Sequence, residues 1–465
     1  MSLSHSQDHL TLVERVMAEV RQRIARRALA PGAKAPSIRA FATAMGVSKS
    51  TVVEAYDRLA AEGVIQARRG SGFYVAGHMP PLALSELEPR LDRSIDPLWV
   101  SRQSLEAGPD VLMPGCGWLP ASWMPQEGLR RGLRALARAE PLNLTDYGPP
   151  LGQPALRQLL ARRLAEHGVE ASPNQIILTE SGTQAIDLVC RFLLEPGDTV
   201  LVDDPCYFNF QAMLRAHRVK VVSVPYTPAG PDLEAFAQAL TDHAPRLYIT
   251  NSGPHNPTGA MLSPVAAHRI LKLAERHDLT IIEDDIYADF EHEPAPRLAA
   301  YDGLERVVSI GSFSKTLSAA ARCGHIAARA DWIEGLIDLK VATSFAGGHL
   351  AAELVLAILK DGAYRRYLVA LRERLARARG ETSARLKALG LTPWVEPKAG
   401  MFLWCALPDG LDAGQVAQRA LAQEVVLAPG NAFSLTQSAG GYLRFNAAQS
   451  GDSRVYEVLR SAMAG

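Results

Sequence analysis

Cysteine is scarce in this chain of 465 residues, and the few cysteines are scattered along it. The five positions, Cys116, Cys190, Cys206, Cys323 and Cys405, form no C-x-x-C pair. An odd, dispersed set argues against a disulfide framework or a zinc site and is typical of proteins in a reducing cytoplasm. We therefore expect a cytoplasmic protein with no bound metal.

Long apolar runs are missing too. No stretch approaches the about 20 residues that span a bilayer, and the N-terminus lacks the positive-then-apolar pattern of a signal peptide. We expect no membrane partner. Net charge is also absent, with 49 basic and 49 acidic residues, but residues 1–77 carry 11 basic against 6 acidic residues. A basic module on a mildly acidic body is compatible with nucleic acid binding, although many surfaces look like this.

The N-terminal residues predict a small helical domain with a β-wing. Apolar and charged residues alternate at helical spacing over residues 12–29. Two further helices are predicted at 37–46 and 48–63, each opened by a serine that can cap free backbone amides. The stretch VIQARRGSGFYVA then reads as strand, basic glycine turn and strand. This order is that of a winged helix-turn-helix, whose second helix of the pair lies in the major groove of DNA.

Motifs in this region carry a resemblance. P-S-x-R from Pro36, G-V-S-x-x-T-V from Gly46 and R-x-G-x-G from Arg68 resemble the DNA-binding domain of GntR-family regulators over residues 12–76. Short polar and cationic side chains at the start of the third helix can reach phosphates and base edges, and the helix dipole favours phosphate. The alternatives are a protein-binding adaptor and, for Arg39, a solvated helix-face charge. The predicted DNA-binding residues are Ser37, Arg39, Ser48, Lys49, Ser50, Thr51, Arg68 and Arg69.

The length of the chain predicts more than one domain. Residues 78–110 mix prolines and charges without clean periodicity, which indicates a linker between domains at 9–77 and 111–465. From Val111 onward, apolar β-branched strands alternate with helices, which predicts an α/β domain with a mostly parallel sheet. After residue 340 the chain is helix-rich, with short strands in GMFLWCAL and GYLRFNA that predict a smaller α+β subdomain.

Polar groups follow several of the predicted strands. Taken singly, each has an ordinary explanation, such as core packing, helix capping or solvation. In an open parallel sheet, however, the strand carboxyl ends share one edge, where ligands bind. The combined set is a phosphate-binding loop, an aromatic ring, an acid, an asparagine, a tyrosine and a lysine, and it is what is needed to hold pyridoxal phosphate.

Each residue of this set has a predicted role. Lys315 forms the Schiff base, and Asp284 keeps the pyridine nitrogen protonated so that the ring withdraws electrons. Asn256 and Tyr287 bind the phenolic oxygen, and Tyr207 stacks on the ring. The remaining predicted cofactor-binding residues are Gly182, Thr183, Gln184, Ser312, Ser314 and Arg322. Of these, Gly182, Thr183, Ser312 and Arg322 are predicted to bind the phosphate.

Residues 111–465 resemble fold-type I aminotransferases. The motifs are YGPPLGQPALR, SGTQA, DPCY, NPTG, EDDIY, SFSK followed by R-x-G, and YLRFN. The resemblance implies a homodimer with a shared site, in which Tyr147 reaches the phosphate of the neighbouring subunit. It also implies that Arg444 clamps the α-carboxylate of an amino acid, the alternative being a surface strand arginine. Two departures are the alanines at 319–321, where the family often has Pro-Gly, and His325, where an aromatic residue is common. We expect His325 to be a packed or partnered histidine rather than a catalytic base.

A GntR-type reader joined to an aminotransferase-like body is the arrangement of MocR-type regulators. The predicted fold is therefore a multidomain α/β protein, with an N-terminal winged helix-turn-helix and a fold-type I domain of two subdomains. We expect a pyridoxal-phosphate-dependent regulator that binds double-stranded operator DNA and senses an amino acid, an amine or pyridoxal phosphate through aldimine exchange at Lys315. The alternatives are an active aminotransferase with an accessory DNA-binding module and a DNA-binding scaffold whose cofactor site is dead.

Overall fold

The computed structural model describes residues 11–25, 29, 33–68, 71–76, 98–139, 145 and 147–465. The chain forms two compact units, Met1–Arg93 and Ser94–Gly465. The boundary between them falls within the predicted linker. Most of that linker lies outside the described residues, and its last part contains the helix Trp99–Glu106.

The N-terminal unit is built as predicted. Its elements in chain order are α1 (Leu12–Ala25), α2 (Ile38–Met45), α3 (Lys49–Ala61), β1 (Ile65–Arg68) and β2 (Gly72–Val75). Gly46 ends α2 with a left-handed backbone at φ 64°, which a residue with a side chain adopts at a cost. Val52, Tyr56 and Leu59 of α3 are fully buried against Val16 of α1. The antiparallel pair of β1 and β2 forms the predicted wing.

The larger sheet of the body is mostly parallel. Its strands are β3 (Ile176–Thr179), β4 (Thr199–Asp204), β5 (Lys220–Thr227), β6 (Gly230–Pro231), β7 (Leu247–Thr250), β8 (Thr280–Asp284), β9 (Val307–Ser312) and β10 (Gly324–Ala327). Over the described residues they lie in the order β3-β10-β9-β8-β7-β4-β5-β6. Neighbours from β5 through β4, β7 and β8 to β9 pair in parallel, whereas β10 runs antiparallel to both β3 and β9.

Helices cover both faces of this sheet. The helices of the body are α4 (Trp99–Glu106), α5 (Gln126–Arg138), α6 (Pro154–Glu166), α7 (Gly182–Leu193), α8 (Phe208–Ala216), α9 (Leu233–His243), α10 (Pro264–Arg276), α11 (Leu298–Asp302), α12 (Ile333–Ser344), α13 (His349–Lys360), α14 (Gly362–Ala388), α15 (Ala413–Leu421) and α16 (Ser453–Ala464). One core packs α7, α8 and α12 on one face. A second core packs α6, α9, α10, α11 and α13 on the other. Burial on both faces explains the nearly continuous apolar runs of the strands.

A smaller antiparallel sheet completes the body. Its strands are β11 (Thr392–Pro393), β12 (Phe402–Ala406), β13 (Ala428–Pro429) and β14 (Tyr442–Asn446), in the order β11-β12-β14-β13. They pack with the end of α14, with α15 and with α16 in a separate core. The predicted α/β body with a smaller α+β subdomain is thus confirmed.

The carboxyl ends of the parallel strands meet at one edge of the larger sheet. Thr250 at the end of β7 pairs with Glu283 of β8, and Asp284 at the end of β8 pairs with Ile310 of β9. The lysine loop begins beyond Ser312, the last residue of β9. The topology therefore brings the predicted polar groups to a common edge.

No single helix in the described part of the chain is long and apolar enough to cross a membrane. One pair of helical segments, Ala330–Ser344 and His349–Lys360, reaches that length and composition together but is bent by 119°.

Candidate functional site

Lys315 lies on the loop after β9, half-buried beneath a backbone carbonyl. The loop is held by its own hydroxyls, because the Ser314 amide donates to Ser312 Oγ at 3.2 Å. The Lys315 Nζ donates to Gly117 O at 2.9 Å. Burial, followed by the positive charge of Arg444, lowers the pKa of Lys315 to about 8. The neutral, nucleophilic amine is therefore more accessible than in a solvated lysine.

Asp284 ends β8 and is only 3% exposed. Its Oδ1 is buried and has no hydrogen-bond partner among the described residues. Burial raises the pKa of this carboxyl to about 7. A buried acceptor without a donor costs free energy, so the site favours a group that supplies an N–H or a positive charge.

Three further side chains of the predicted set are in contact. Asn256 Nδ2 donates to the Tyr287 hydroxyl at 3.3 Å, and Arg444 Nη1 donates to Asn256 Oδ1 at 2.8 Å. Tyr207, just before α8, is half-buried, and burial raises the pKa of its hydroxyl to about 12. Burial also raises the pKa of Tyr287, so both phenols stay protonated at neutral pH and can donate hydrogen bonds.

Arg444 on β14 is 1% exposed, so it is not a surface arginine. Its guanidinium lies 4.3 Å from the ring centroid of Phe402 and 4.6 Å from that of Phe433. Nη2 donates to Gly115 O at 2.7 Å, whereas Nε has no partner among the residues the structure describes. Burial lowers the pKa of Arg444 to about 10, which leaves the group charged at neutral pH. A buried, incompletely paired guanidinium suits a carboxylate ligand.

The loop predicted to bind phosphate lies at the start of α7. Ser181 Oγ accepts the Gln184 amide at 3.0 Å, and Gln184 Oε1 accepts the Glu180 amide at 2.6 Å. Thr183 is exposed beside them. The side chain of Gln184 therefore braces the loop, while the first amides of the helix are oriented as anion donors.

One glycine allows β10 to approach this loop. A Cβ on Gly324 would lie 2.6 Å from the Ser181 carbonyl carbon, whereas a Cβ on Gly182 would lie 3.6 Å from Ser312 Cβ, an ordinary van der Waals contact. The glycine of the R-x-G motif is thus required by backbone contact. Arg322, two residues earlier, is exposed with a left-handed φ of 43°.

Residues 112–118, which we call the covering segment, were missed in the sequence. Gly117 O accepts from Lys315 and Gly115 O accepts from Arg444. Asn446 Nδ2 holds the segment from below by donating to Cys116 O at 3.1 Å. Backbone carbonyls act here, so no side-chain type marks the segment. The nearest signal is the pair of glycines in G-C-G at 115–117.

Tyr147, predicted to reach a neighbouring subunit, is 78% exposed. Its ring stacks on that of Phe345, with centroids 5.1 Å apart and planes at 20°. Phe345 is itself 59% exposed. Two exposed aromatic rings side by side form an apolar surface, and the role of Tyr147 across a subunit boundary stays a prediction.

His325 is a packed histidine. It lies on β10 directly opposite Gly311 of β9, and a Cβ on Gly311 would fall 2.2 Å from the imidazole ring. Burial lowers the pKa of His325 to about 4, so the ring is neutral at physiological pH. Gly311 on the neighbouring strand therefore leaves room for His325, which stands where the family commonly has an aromatic residue.

In the N-terminal unit, the predicted serines act as helix caps. Ser37 Oγ accepts the Ala40 amide at 3.2 Å, and Ser48 Oγ accepts the Thr51 amide at 3.1 Å. Ser48 Oγ also lies 2.7 Å from Ser50 Oγ. These hydroxyls remain exposed at the helix starts, so capping does not exclude contact with DNA.

Some cations of this unit are paired with acidic side chains, whereas others are exposed and unpaired. Arg21, Arg23 and Arg58 pair with Glu62, Glu19 and Glu54 respectively. Arg39 and Lys49 are exposed and form no ion pair with any described residue. The side chain of Arg68 and the whole of Arg69, also predicted to contact DNA, lie outside the described residues.

Comparisons with known proteins agree with both halves of the chain. Residues 123–461 match the family of class I and II aminotransferases, and residues 12–75 match the gntR family of bacterial regulatory proteins. The HTH-type transcriptional regulator YdcR of Escherichia coli is 30% identical over 458 residues, which cover 96% of this chain and 97% of that protein. The HTH-type transcriptional regulator NorG of Staphylococcus aureus is 27% identical over 408 residues, 85% of this chain and 91% of that protein.

Solved aminotransferase structures also resemble much of the chain. LysN, an α-aminoadipate aminotransferase of Thermus thermophilus complexed with N-(5'-phosphopyridoxyl)-L-leucine, superposes with a TM-score of 0.72 at 27% identity over 81% of this chain and 96% of its own. A T. thermophilus aspartate aminotransferase mutant gives 0.66 at 25% identity, covering 83% and 98%. The family and these neighbours imply that pyridoxal phosphate is used. The chain belongs to the class I and II aminotransferase family and carries a gntR-family domain at its N-terminus, the arrangement of MocR-type transcriptional regulators.

Proposed function

We propose that this DNA-binding regulator holds pyridoxal phosphate at Lys315 and responds to an amino acid or amine that enters the same site. The operator is double-stranded DNA, contacted by the exposed starts of α2 and α3. The observation that carries the proposal is that Oδ1 of Asp284 is buried and unpaired. Asp284 lies at the edge of the larger sheet from which the loop bearing Lys315 also begins. An orphaned carboxylate oxygen there needs a donor that the described protein does not supply.

The residues present fit this cofactor. Pyridoxal phosphate supplies an aldehyde that amines attack and a ring that withdraws electrons when its nitrogen is protonated. Asp284 would accept a hydrogen bond from that nitrogen, and the positive charge would oppose the effect of burial on the pKa of the carboxyl. Asn256 and Tyr287, already in contact, would hold the phenolic oxygen. The α7 amides would bind the phosphate.

The ligand would act on the covering segment through Arg444. A carboxylate pairs with a guanidinium through two parallel hydrogen bonds. Both Nη atoms of Arg444 already donate hydrogen bonds within the protein, Nη1 to Asn256 Oδ1 and Nη2 to Gly115 O. An arriving carboxylate would take over at least one of these donors and loosen residues 112–118. Only a ligand that binds two conformations of the body unequally can change DNA binding.

The proposal includes a cytoplasmic homodimer. The exposed ring pair of Tyr147 and Phe345 supports a second copy of the chain at that surface, with Tyr147 turned toward the partner's site. Two reader domains in one dimer would bind a repeated operator.

The test is spectroscopic and uses the purified full chain. We expect a visible absorption band of bound cofactor that is lost in Lys315→Ala and kept in Lys387→Ala, a surface lysine paired with Glu396. Titration with amino acids and amines should shift the band and, for the true effector, change operator affinity measured by fluorescence anisotropy. A band that survives in Lys315→Ala would refute the role of that lysine, and binding without sequence preference would refute the regulator.

A second function, catalytic transamination with an accessory reader, is supported by the likeness to the LysN aminotransferase over 96% of that enzyme. It predicts that an amino donor bleaches the band and that a keto acid restores it at steady turnover. Operator affinity would then be unaffected by the donor.

A further inference from the structure

A second cavity lies where the start of α5 meets the junction between α13 and α14. Its volume is about 360 Å³. Small-molecule sites occupy about 300–1,000 Å³, so this cavity is large enough for a compact ligand. The cavity beside His325 has a volume of about 60 Å³, which is room for a few water molecules.

The lining of this cavity combines apolar side chains with one unsatisfied polar atom. Met124 and Ile358 line it together with Tyr364 and Tyr367, whose ring centroids lie 5.8 Å apart. The Tyr367 hydroxyl is buried and has no hydrogen-bond partner within the described residues. Such an atom favours a ligand that carries both apolar and hydrogen-bonding groups.

Three charged residues line the cavity, Arg131, Asp361 and Glu127, and Glu127 is paired with Arg130. Arg131 of α5 pairs with Asp361, the residue that caps α14, at 3.0 Å between Nη2 and Oδ2. Their side chains are 48% and 40% exposed, so solvent and ligands reach both. A guanidinium beside a carboxylate matches the carboxylate and ammonium of an amino acid, which are adjacent on one carbon.

We propose that this cavity binds the zwitterion of an amino acid with an apolar side chain, without a covalent bond and apart from Lys315. The ligand carboxylate pairs with Arg131, its ammonium with Asp361, and its side chain lies against Met124 and Ile358. The exposed ion pair is weak, so exchanging it for two ligand contacts costs little. The binding site itself does not depend on the proposed cofactor role.

Tyr364 gives this site a physical route to the lysine loop. Its hydroxyl oxygen lies 3.0 Å from Thr316 Oγ1 and 3.2 Å from Asp289 Oδ2, and its one proton is donated to either of them. Thr316 also donates to Asp289 Oδ2 at 2.9 Å, and Arg163 pairs with the same carboxylate. Thr316 follows Lys315 directly, so a ligand that moves the Tyr364 ring moves the anchor of the lysine loop.

The test measures binding of L-leucine to the full-length apoprotein by equilibrium dialysis. Arg131→Gln should weaken the cavity site by about tenfold or more, since a charge-assisted bond is lost. The matched control is Arg134→Gln, which removes an exposed cation of the same helix that does not line the cavity. Equal leucine binding in the two variants would overturn the proposal.

Two analogues and one further variant sharpen the result. 4-Methylpentanoate lacks the ammonium and 3-methylbutylamine lacks the carboxylate, so each should bind the cavity at least about tenfold more weakly than leucine. Comparable affinity for all three would overturn the zwitterion. Tyr367→Phe should weaken leucine binding by about two- to tenfold, as expected for one hydrogen bond.

The result separates this site from the cofactor site. Leucine bound in Arg444→Gln and lost in Arg131→Gln supports the cavity, whatever happens at Lys315. Loss only in Arg444→Gln refutes the cavity and leaves the proposed function standing. If Arg444→Gln does not fold, the comparison of wild type with Arg131→Gln decides alone, since the affinity of the cavity for leucine must fall by about tenfold or more.

Discussion

The two units of the chain handle ionisable side chains in opposite ways. In the N-terminal unit, Arg39 and Lys49 are exposed and unpaired with any described residue. In the body, Asp284 and Arg444 are 3% and 1% exposed. Burial raises the pKa of Asp284 and lowers that of Arg444, and both shifts favour the neutral form of the side chain. The same kinds of side chain therefore serve two different kinds of recognition.

The difference follows from the ligands. DNA is recognised first through its phosphates, and a cation must be exposed and free of a competing carboxylate to replace their counterions. A reactive cofactor instead needs amines and acids whose pKa values are displaced, and burial displaces them. The unsatisfied groups of the body store the free energy that a ligand recovers. Four variants test this contrast.

The largest effect is expected from Asp284→Asn, which keeps the shape and removes the charge. Breaking one half of a buried charged pair costs about 3–5 kcal/mol, so pyridoxal phosphate should bind hundreds-fold more weakly. Fluorescence quenching on adding the cofactor to apoprotein measures the change. An unchanged affinity would contradict the assignment of Asp284 to the ring nitrogen.

In the apoprotein, the same variant should reduce the loss of folding stability that rising pH causes. The pKa of Asp284 is raised to about 7 in the folded chain, so the folded state binds more protons than the unfolded state from about pH 4 to about pH 7. Stability contributed by this group therefore falls as pH rises through that window. Urea unfolding should show a smaller fall in Asp284→Asn than in wild type, and an identical pH profile would show that the carboxylate is not buried.

Gly324→Ala should come next. Its Cβ would lie 2.6 Å from the Ser181 carbonyl carbon and 2.9 Å from the Gly182 nitrogen, both backbone atoms that cannot turn away. Overpacking of this kind costs about 1–3 kcal/mol, and it should also open the phosphate-binding loop and weaken cofactor binding. Gly108→Ala is the control, because a Cβ there meets no atom within 4 Å. Equal stability of the two variants by thermal unfolding would contradict the close contact.

Much of the architecture could be predicted from the sequence because local patterns agree with it. The serines before α2 and α3, and Gly46 between these helices, act as the caps and turn that their residue types favour. The apolar runs of β4 and β7 to β9 predicted strands of a mostly parallel sheet, and the edge shared by their ends followed from parallel topology.

Other features of the site could not be predicted from local sequence patterns. Gly115 and Gly117 act through carbonyl oxygens, which every residue has, so their role depends on how residues far apart in sequence fold together. The match of His325 to Gly311 is likewise a contact across a strand pair. Arg444 was predicted by resemblance, yet its Gly115 contact and its place between two rings came only from the tertiary fold.

The third variant tests the exposed cations. Lys49→Ala should weaken DNA binding at all sequences and reduce the salt slope of log affinity by about 1, as expected for one phosphate contact. Arg58→Ala on the same helix is the control, because Arg58 is already paired with Glu54. Anisotropy titrations over a range of salt concentrations measure both. A slope that falls equally in the two variants would show that pairing does not decide which cations bind DNA.

The smallest effect is expected from Ser48→Ala, which separates capping from contact. Loss of an N-cap costs about 1 kcal/mol, so amide exchange in α3 should accelerate about fivefold in the full chain. Ser50→Ala is the control, since it leaves the bond from the Thr51 amide to Ser48 Oγ intact. A destabilisation this small leaves nearly every molecule folded, so a pure cap would leave operator affinity almost unchanged. A larger loss of affinity in Ser48→Ala would assign a direct DNA contact to the same hydroxyl, and exchange rates equal to those of Ser50→Ala would contradict the cap.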